Sequence, residues 1–194
     1  MGRKEEILKA ATLVFSEKGY HGTSMEEVAD AAGVVKGTLY LYYGSKAELF
    51  VELIFKLIEI TDRWVECALE LKGGIWNKIE YLINTALEYF IENRNVFSIL
   101  HRGAPLEGVS ITEETCNRID EDMRARVMLL ASIFALHRDE GEVSEDFTDQ
   151  EAAFFCFSIM EGMVRRFIEG WEKDPKRNAD IALKFLKNGL SKKN

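Results

Sequence analysis

Residues 24–49 read SMEEVADAAGVVKGTLYLYYGSKAEL, and the order of signals in this stretch decides the fold. Ser24 with Glu27 three residues later forms a capping box, so a helix is expected to start at Met25. Met25, Val28, Ala29 and Ala32 then share one apolar face at helical spacing. Gly33 supplies a sharp turn, because glycine accepts the backbone conformations that join two short helices at a steep angle. In the next short helix Leu39 points inward, leaving Lys36, Thr38, Tyr40 and Tyr42 for the outer face. Ser45 with Glu48 repeats the capping pattern and launches a long helix through Phe50, Leu53 and Leu57. Between Asp30 and Glu48 there is no carboxylate, while Lys36, Lys46, Thr38, Ser45 and the tyrosines Tyr40, Tyr42 and Tyr43 are all present. Cations and hydroxyls on one short helix suit phosphate oxygens and base-pair edges. The pattern is that of a helix-turn-helix that reads DNA.

Upstream, Ile7, Ala11, Val14 and Phe15 recur at i, i+4, i+7 and i+8, which gives a first helix one apolar stripe. Gly19 is expected to end it, as glycine commonly does at a helix C-terminus. Three short helices closed by a fourth make a compact head. The plainer reading stands beside this one. Tyr40 and Tyr43 suit a core, a lysine on a short helix is usually just solvated, and helix-turn-helix shapes occur in proteins that never touch DNA.

GVVKGTLYLYYGSKAEL, preceded by Met25–Gly33 and by a helix ending in FSEKGY, resembles the head of the tetracycline-repressor (TetR) family of one-component transcriptional regulators. The resemblance covers roughly residues 5–55, where the turn, the tyrosines and the Ser45-Lys46 helix start fall in register. Beyond it only the plan is similar: an all-helical, divergent effector domain that forms a dimer. The resemblance implies DNA contacts at Lys36, Gly37, Thr38, Tyr40, Tyr42 and Lys46. Val35 departs from the small hydroxyl residue common at the start of the recognition helix, and Gly44 from a longer, often basic residue. Each removes a cap or a phosphate contact, which bears on affinity more than on the mode of binding.

The chain of 194 residues carries a net charge of −8, which argues against nonspecific nucleic-acid binding over its whole surface. The charge is divided unevenly. Residues 1–46 hold six Lys/Arg and six Asp/Glu, and residues 47–194 hold nineteen and twenty-seven. A neutral head on an acidic body confines DNA contact to the head and favours a specific regulator over a packaging protein. The expected division is a helix-turn-helix domain at 1–46 and a helical ligand-binding and dimerisation domain at 47–194. Met1-Gly2-Arg3-Lys4 runs straight into charged residues with no apolar signal segment, Glu6 spoils a myristoylation pattern, and no run is long enough to span a membrane. A cytoplasmic protein without a membrane partner is expected.

The body reads as helix after helix. Helices are expected from Lys46 to the Lys72-Gly73-Gly74 break, from about Ile75 to Asn93, and over a short segment with Val96, Phe97 and Leu100 that ends at His101. After the Gly103–Gly108 loop, Ser110 with Glu113 opens a helix to about Glu140, stopped by Gly141. Thr148 with Glu151 opens another that continues past Trp171, and a last helix runs from about Lys176 to Asn188. The expected fold is all-α with about nine helices.

The helix from residue 149 is apolar on more than one side, which implies burial against something beyond one core. Phe154, Ser158 and Gly162 on that helix, with Ile181 and Phe185 on the last, are the expected dimer interface. In the resembled family these two helices form a four-helix interface, and a two-fold protein matches a palindromic operator. The alternative is that the excess apolar residues surround an effector cavity. Trp64, Tyr81, Asn84, Phe97, His101, Phe134 and Phe155 are candidate lining for a small-molecule effector pocket, which the resemblance places among the middle helices. Such residues are also ordinary core.

Cys67, Cys116 and Cys156 lie far apart, three histidines are scattered, and no metal site or cofactor is legible. No phosphate-binding glycine loop, HExxH or nucleophile elbow points to catalysis. The expectation is a dimeric operator-binding repressor released by a small-molecule effector. A helical adaptor with a degenerate DNA head and a cysteine-based redox regulator are the alternatives. An all-helical enzyme has no motif behind it.

Overall fold

The computed structural model describes residues 2–94 and 112–192. Within them lie eight α-helices: α1 (Arg3–Gly22), α2 (Met25–Ala31), α3 (Lys36–Tyr42), α4 (Lys46–Glu70), α5 (Ile75–Glu92), α6 (Glu113–Leu136), α7 (Asp149–Ile168) and α8 (Pro175–Leu190). A short 3-10 turn, Arg138–Glu140, follows α6. No β-sheet occurs among the described residues, where Val143 and Ser191 form a lone antiparallel bridge. The expected all-α architecture is therefore observed. The short helix expected to end at His101 lies outside the described residues, as does Ser110.

Local chemistry explains most helix boundaries. At α2 the Ser24 hydroxyl accepts from Glu27 N–H, while the Glu27 carboxylate accepts from Ser24 N–H at 2.8 Å, a complete capping box. Thr148 and Glu151 do the same for α7. Before α4 the pattern is altered. The Ser45 hydroxyl accepts from Glu48 N–H, but the Glu48 carboxylate reaches one residue further back to Gly44 N–H at 2.8 Å. At α8, Asp174 accepts from the N–H groups of Lys176 and Arg177, and Pro175 takes the first helical position, where its missing N–H costs nothing.

Three expected boundaries shift. Gly19 adopts φ 71°, but one further turn carries α1 to Gly22, so Gly19 kinks the helix rather than ending it. The helix expected to continue past Trp171 also ends earlier: α7 stops at Ile168, because Gly170 takes φ 80° and turns the chain before Trp171. Gly141, with φ 70°, ends the 3-10 turn, and α6 itself stops at Leu136.

The chain forms two compact units. One takes the described residues up to Leu57 and those of Asn93–Ile119; the other takes Ile58–Glu92 and Asp120 onward. In the first, α1 packs on α2 and α2 on α3 around Ile7, Ala11, Phe15, Val28 and Leu39. Phe15, Tyr20 and Phe50 meet edge-on or stacked within this core. In the second unit α5 packs against α7 and α8, burying Ile75, Ile79, Leu82, Ile83, Ala86 and Leu87 at helical spacing.

Candidate nucleic-acid interface

Leu39 has no exposed surface, and it anchors α3 from the inside. Burying one leucine is worth about 1.5–3 kcal/mol, enough to fix which face of so short a helix looks out. Tyr43, just past the end of α3, is also buried, with the Lys4 ammonium over its ring. Burial, then the nearby Glu52 and Glu48, push its phenol well above the ordinary tyrosine value, so Tyr43 is a neutral core residue. Lys36, Gly37, Tyr40 and Tyr42 are exposed and Thr38 is half-buried. The structure thus gathers five of the six expected contact residues on the outer side of one helix.

The sixth is placed differently. Lys46 is half-buried, and its ammonium donates to the carbonyls of Tyr20 and Thr23, both at 2.8 Å. It also sits 4.5 Å from the centre of the Tyr20 ring. Those carbonyls belong to the C-terminal end of α1, where backbone acceptors are left without helical partners. Lys46 therefore joins the first turn of α4 to the end of α1.

Two exposed apolar residues flank this surface: Val35, 73% exposed, and Leu41, 86% exposed. Leu41 was not singled out from sequence, since a leucine in an apolar helix reads as core. Val35 also offers no side-chain cap to α3, as its chemistry requires.

Ion pairs occupy several cations of this unit. Lys18 pairs with Glu27, Lys4 with Glu52, and Lys36 with Glu26. The Lys18 ammonium, followed by the Ser24 N–H and hydroxyl, holds the Glu27 carboxyl down at about 2.

In the second unit the candidate pocket residues do not share one environment. Trp64 packs edge-on against Tyr89 at 5.2 Å, Phe134 is fully buried, Tyr81 is half-buried, and Asn84 is exposed. Phe155 is 49% exposed beside Phe154, so α7 displays it at the surface rather than enclosing it. Phe97 and His101 lie outside the described residues. The dimer candidates Phe154, Ser158, Gly162, Ile181 and Phe185 are all exposed on α7 and α8. Their corner is fixed by Asn178, whose amide donates to the Met163 carbonyl at 2.8 Å, and by Glu172, which pairs with Arg166 and Arg177.

Two charged side chains in this unit, one buried and one half-buried, were not legible in the sequence. Lys78 is 1% exposed and donates to the carbonyls of Ala68, Leu69 and Leu71, which caps the C-terminus of α4. Arg126 lies 3.8 Å from Asp62, and burial lowers the arginine's pKa and raises the aspartate's. Cys156 is buried and its thiol is pushed up to about 12, which makes it an inert apolar filler; Cys67 is exposed. Among the described residues no cluster of His, Cys, Asp and Glu is arranged to hold a metal ion, and no helix is long and apolar enough to cross a membrane.

Residues 7–53, the unit built around α3, match the family described as bacterial regulatory proteins, tetR family. Over 193 residues the chain is 26% identical to the uncharacterized HTH-type transcriptional regulator YvdT of Bacillus subtilis, covering 97% of this chain and 95% of that one. Its head, residues 7–53, is a tetR-family head. Solved structures extend the likeness in fold along the chain. The transcriptional regulator FadR from Bacillus subtilis, in complex with stearoyl-CoA, superposes with a TM-score of 0.79 at 24% identity, covering 95% of this chain and 98% of that one. AibR, in complex with isovaleryl coenzyme A and operator DNA, gives 0.74 at 20% identity, covering 95% and 97%. The matched family and YvdT are both described as regulators.

Proposed function

We propose that this regulator binds an operator as a homodimer and is a repressor released by a small-molecule effector, acting in the cytoplasm. The observation that carries the reading is the outward face of α3, free of carboxylates along its length and held in place by buried Leu39. In this reading Lys36, Gly37, Thr38, Tyr40 and Tyr42 meet the major groove and its phosphates, and Lys46 sets the head's geometry from behind. Residues 1–46 serve as the DNA-binding domain and 47–194 as the ligand-binding and dimerisation domain.

The dimer is supported by exposed Phe154, Phe155, Ile181 and Phe185 on two adjacent helices, an apolar surface that a second copy would cover. Two copies would present their reading helices to major grooves roughly 34 Å apart. The effector would act by moving α4, which begins at Lys46 beside the reading helix and runs to Glu70. Acyl-CoA thioesters are the first effectors to test, because two proteins of the same fold are complexed with them.

The experiment is a fluorescence-anisotropy titration of operator duplex in the presence of stearoyl-CoA or isovaleryl-CoA. Release of DNA, with DNA weakening effector binding by the same factor, supports the reading. A bound effector that leaves operator affinity unchanged contradicts it.

A further inference from the structure

Lys36 is the one cation on α3, and its ammonium is paired with the Glu26 carboxylate on the first turn of α2. Both side chains are exposed, at 51% and 64%, and the same ammonium lies 6.0 Å from the centre of the Tyr40 ring. The surrounding acids have other work. Glu27 completes the α2 capping box and pairs with Lys18, and Glu48 accepts from Gly44 N–H. Glu26 neither caps a helix nor packs in the core; Lys36 is its partner. Hydrogen bonding to Glu26 and then its charge raise the Lys36 pKa. The reading helix therefore presents no net positive charge while the pair is closed.

Duplex DNA competes for that lysine. When Lys36 turns to a phosphate or a guanine edge, Glu26 is left facing a polyanion. On an arbitrary sequence that carboxylate is unpaired and repelled. Opposite a cytosine, the N4 amino group in the major groove offers it a donor. We infer that Glu26 is a specificity-determining residue: it holds Lys36 back from non-operator DNA and yields it where the operator offers the carboxylate a base-edge donor. Discrimination then comes from a repulsive element as well as from favourable contacts. The inference rests on α3 being the reading helix.

The test compares wild type, Glu26→Gln, Lys36→Gln and the double variant on two probes, a duplex selected by the wild-type protein from a random pool and a scrambled duplex, across a salt series. Glu26→Gln is expected to tighten binding to the scrambled duplex by about tenfold, with less than about a threefold change on the selected duplex. Its salt slope on the scrambled duplex should steepen by about one, because Lys36 becomes free to neutralise a phosphate. In the double variant the gain should disappear. Equal tightening on both probes, no change on either, or a gain that survives in the double variant overturns the inference. Failure of the wild type to select any duplex overturns the DNA-reading assignment of α3 instead, so the two failures are distinguishable. Thermal melts of the exposed-site variants, expected to match wild type, confirm that folded protein is compared.

Discussion

The Lys46 ammonium donates to the Tyr20 carbonyl at 2.8 Å and so ties the start of α4 to the end of α1. With the second bond, to Thr23, two of its three protons are committed inside the head. Lys46→Met should destabilise the protein by about 1–3 kcal/mol, since charge-assisted bonds and orphaned carbonyls are the costly kind. Operator binding should weaken through misplacement of α3, with the salt slope unchanged. A slope lower by about one would show that Lys46 neutralises a phosphate and would contradict a purely positioning role.

Lys78 plays the corresponding part at the other end of α4, where it is buried against three carbonyls. Replacing it by Met removes the cap and leaves those acceptors unsatisfied. The expected loss is about 3 kcal/mol, or roughly 6–12 °C in a chain of this size. A melting temperature within a degree of wild type would show that water satisfies the helix end equally well.

Gly162 offers a clean probe of the dimer. A Cβ there would meet nothing within 4 Å in the chain itself, so Gly162→Leu starts its added bulk in open space, on the face where a second copy is proposed to dock. Analytical ultracentrifugation should find wild-type dimers and, for Gly162→Leu combined with Phe185→Glu, monomers of unchanged helicity. A double variant that remains fully dimeric places the interface elsewhere.

Glu27 gives a dependence on acid with a defined sign. Its folded pKa is held at about 2, below the ordinary 4.5, by Lys18 and the Ser24 cap. A depressed carboxylate stabilises the fold above its ordinary value and loses that contribution as pH falls through the folded one. Between about pH 5 and pH 2, wild type should therefore lose stability more steeply than Glu27→Gln in chemical denaturation. Parallel curves would mean that the pair with Lys18 does not persist in solution.

The features that the sequence made legible are local ones. Ser24 with Glu27 and Thr148 with Glu151 act within four residues, so their boxes could be read directly and are formed as expected. Leu39 and the outward Lys36, Tyr40 and Tyr42 follow from helical spacing alone. What escaped depends on distant or three-dimensional context. Lys46 reaches residues 23 and 26 positions earlier, and Lys78 reaches back across the α4–α5 turn. Neither lysine differs from a solvated one in sequence. Phe155 reads as apolar lining, but α7 already fills its inner face with Ala152, Cys156, Met163 and Phe167, which turns Phe155 outward. The stop at Gly170 was missed because the apolar pattern runs on to Trp171, while the backbone does not.

The most direct measurement is a fluorescence-anisotropy titration of the protein against DNA from upstream of its own gene and its neighbours, repeated across a salt series with unrelated competitor DNA. Saturable binding that outlasts the competitor, and weakens linearly with the logarithm of salt concentration, is the predicted result. Absence of binding at low salt by protein shown to be a folded dimer would contradict the account and bring the helical-adaptor reading forward.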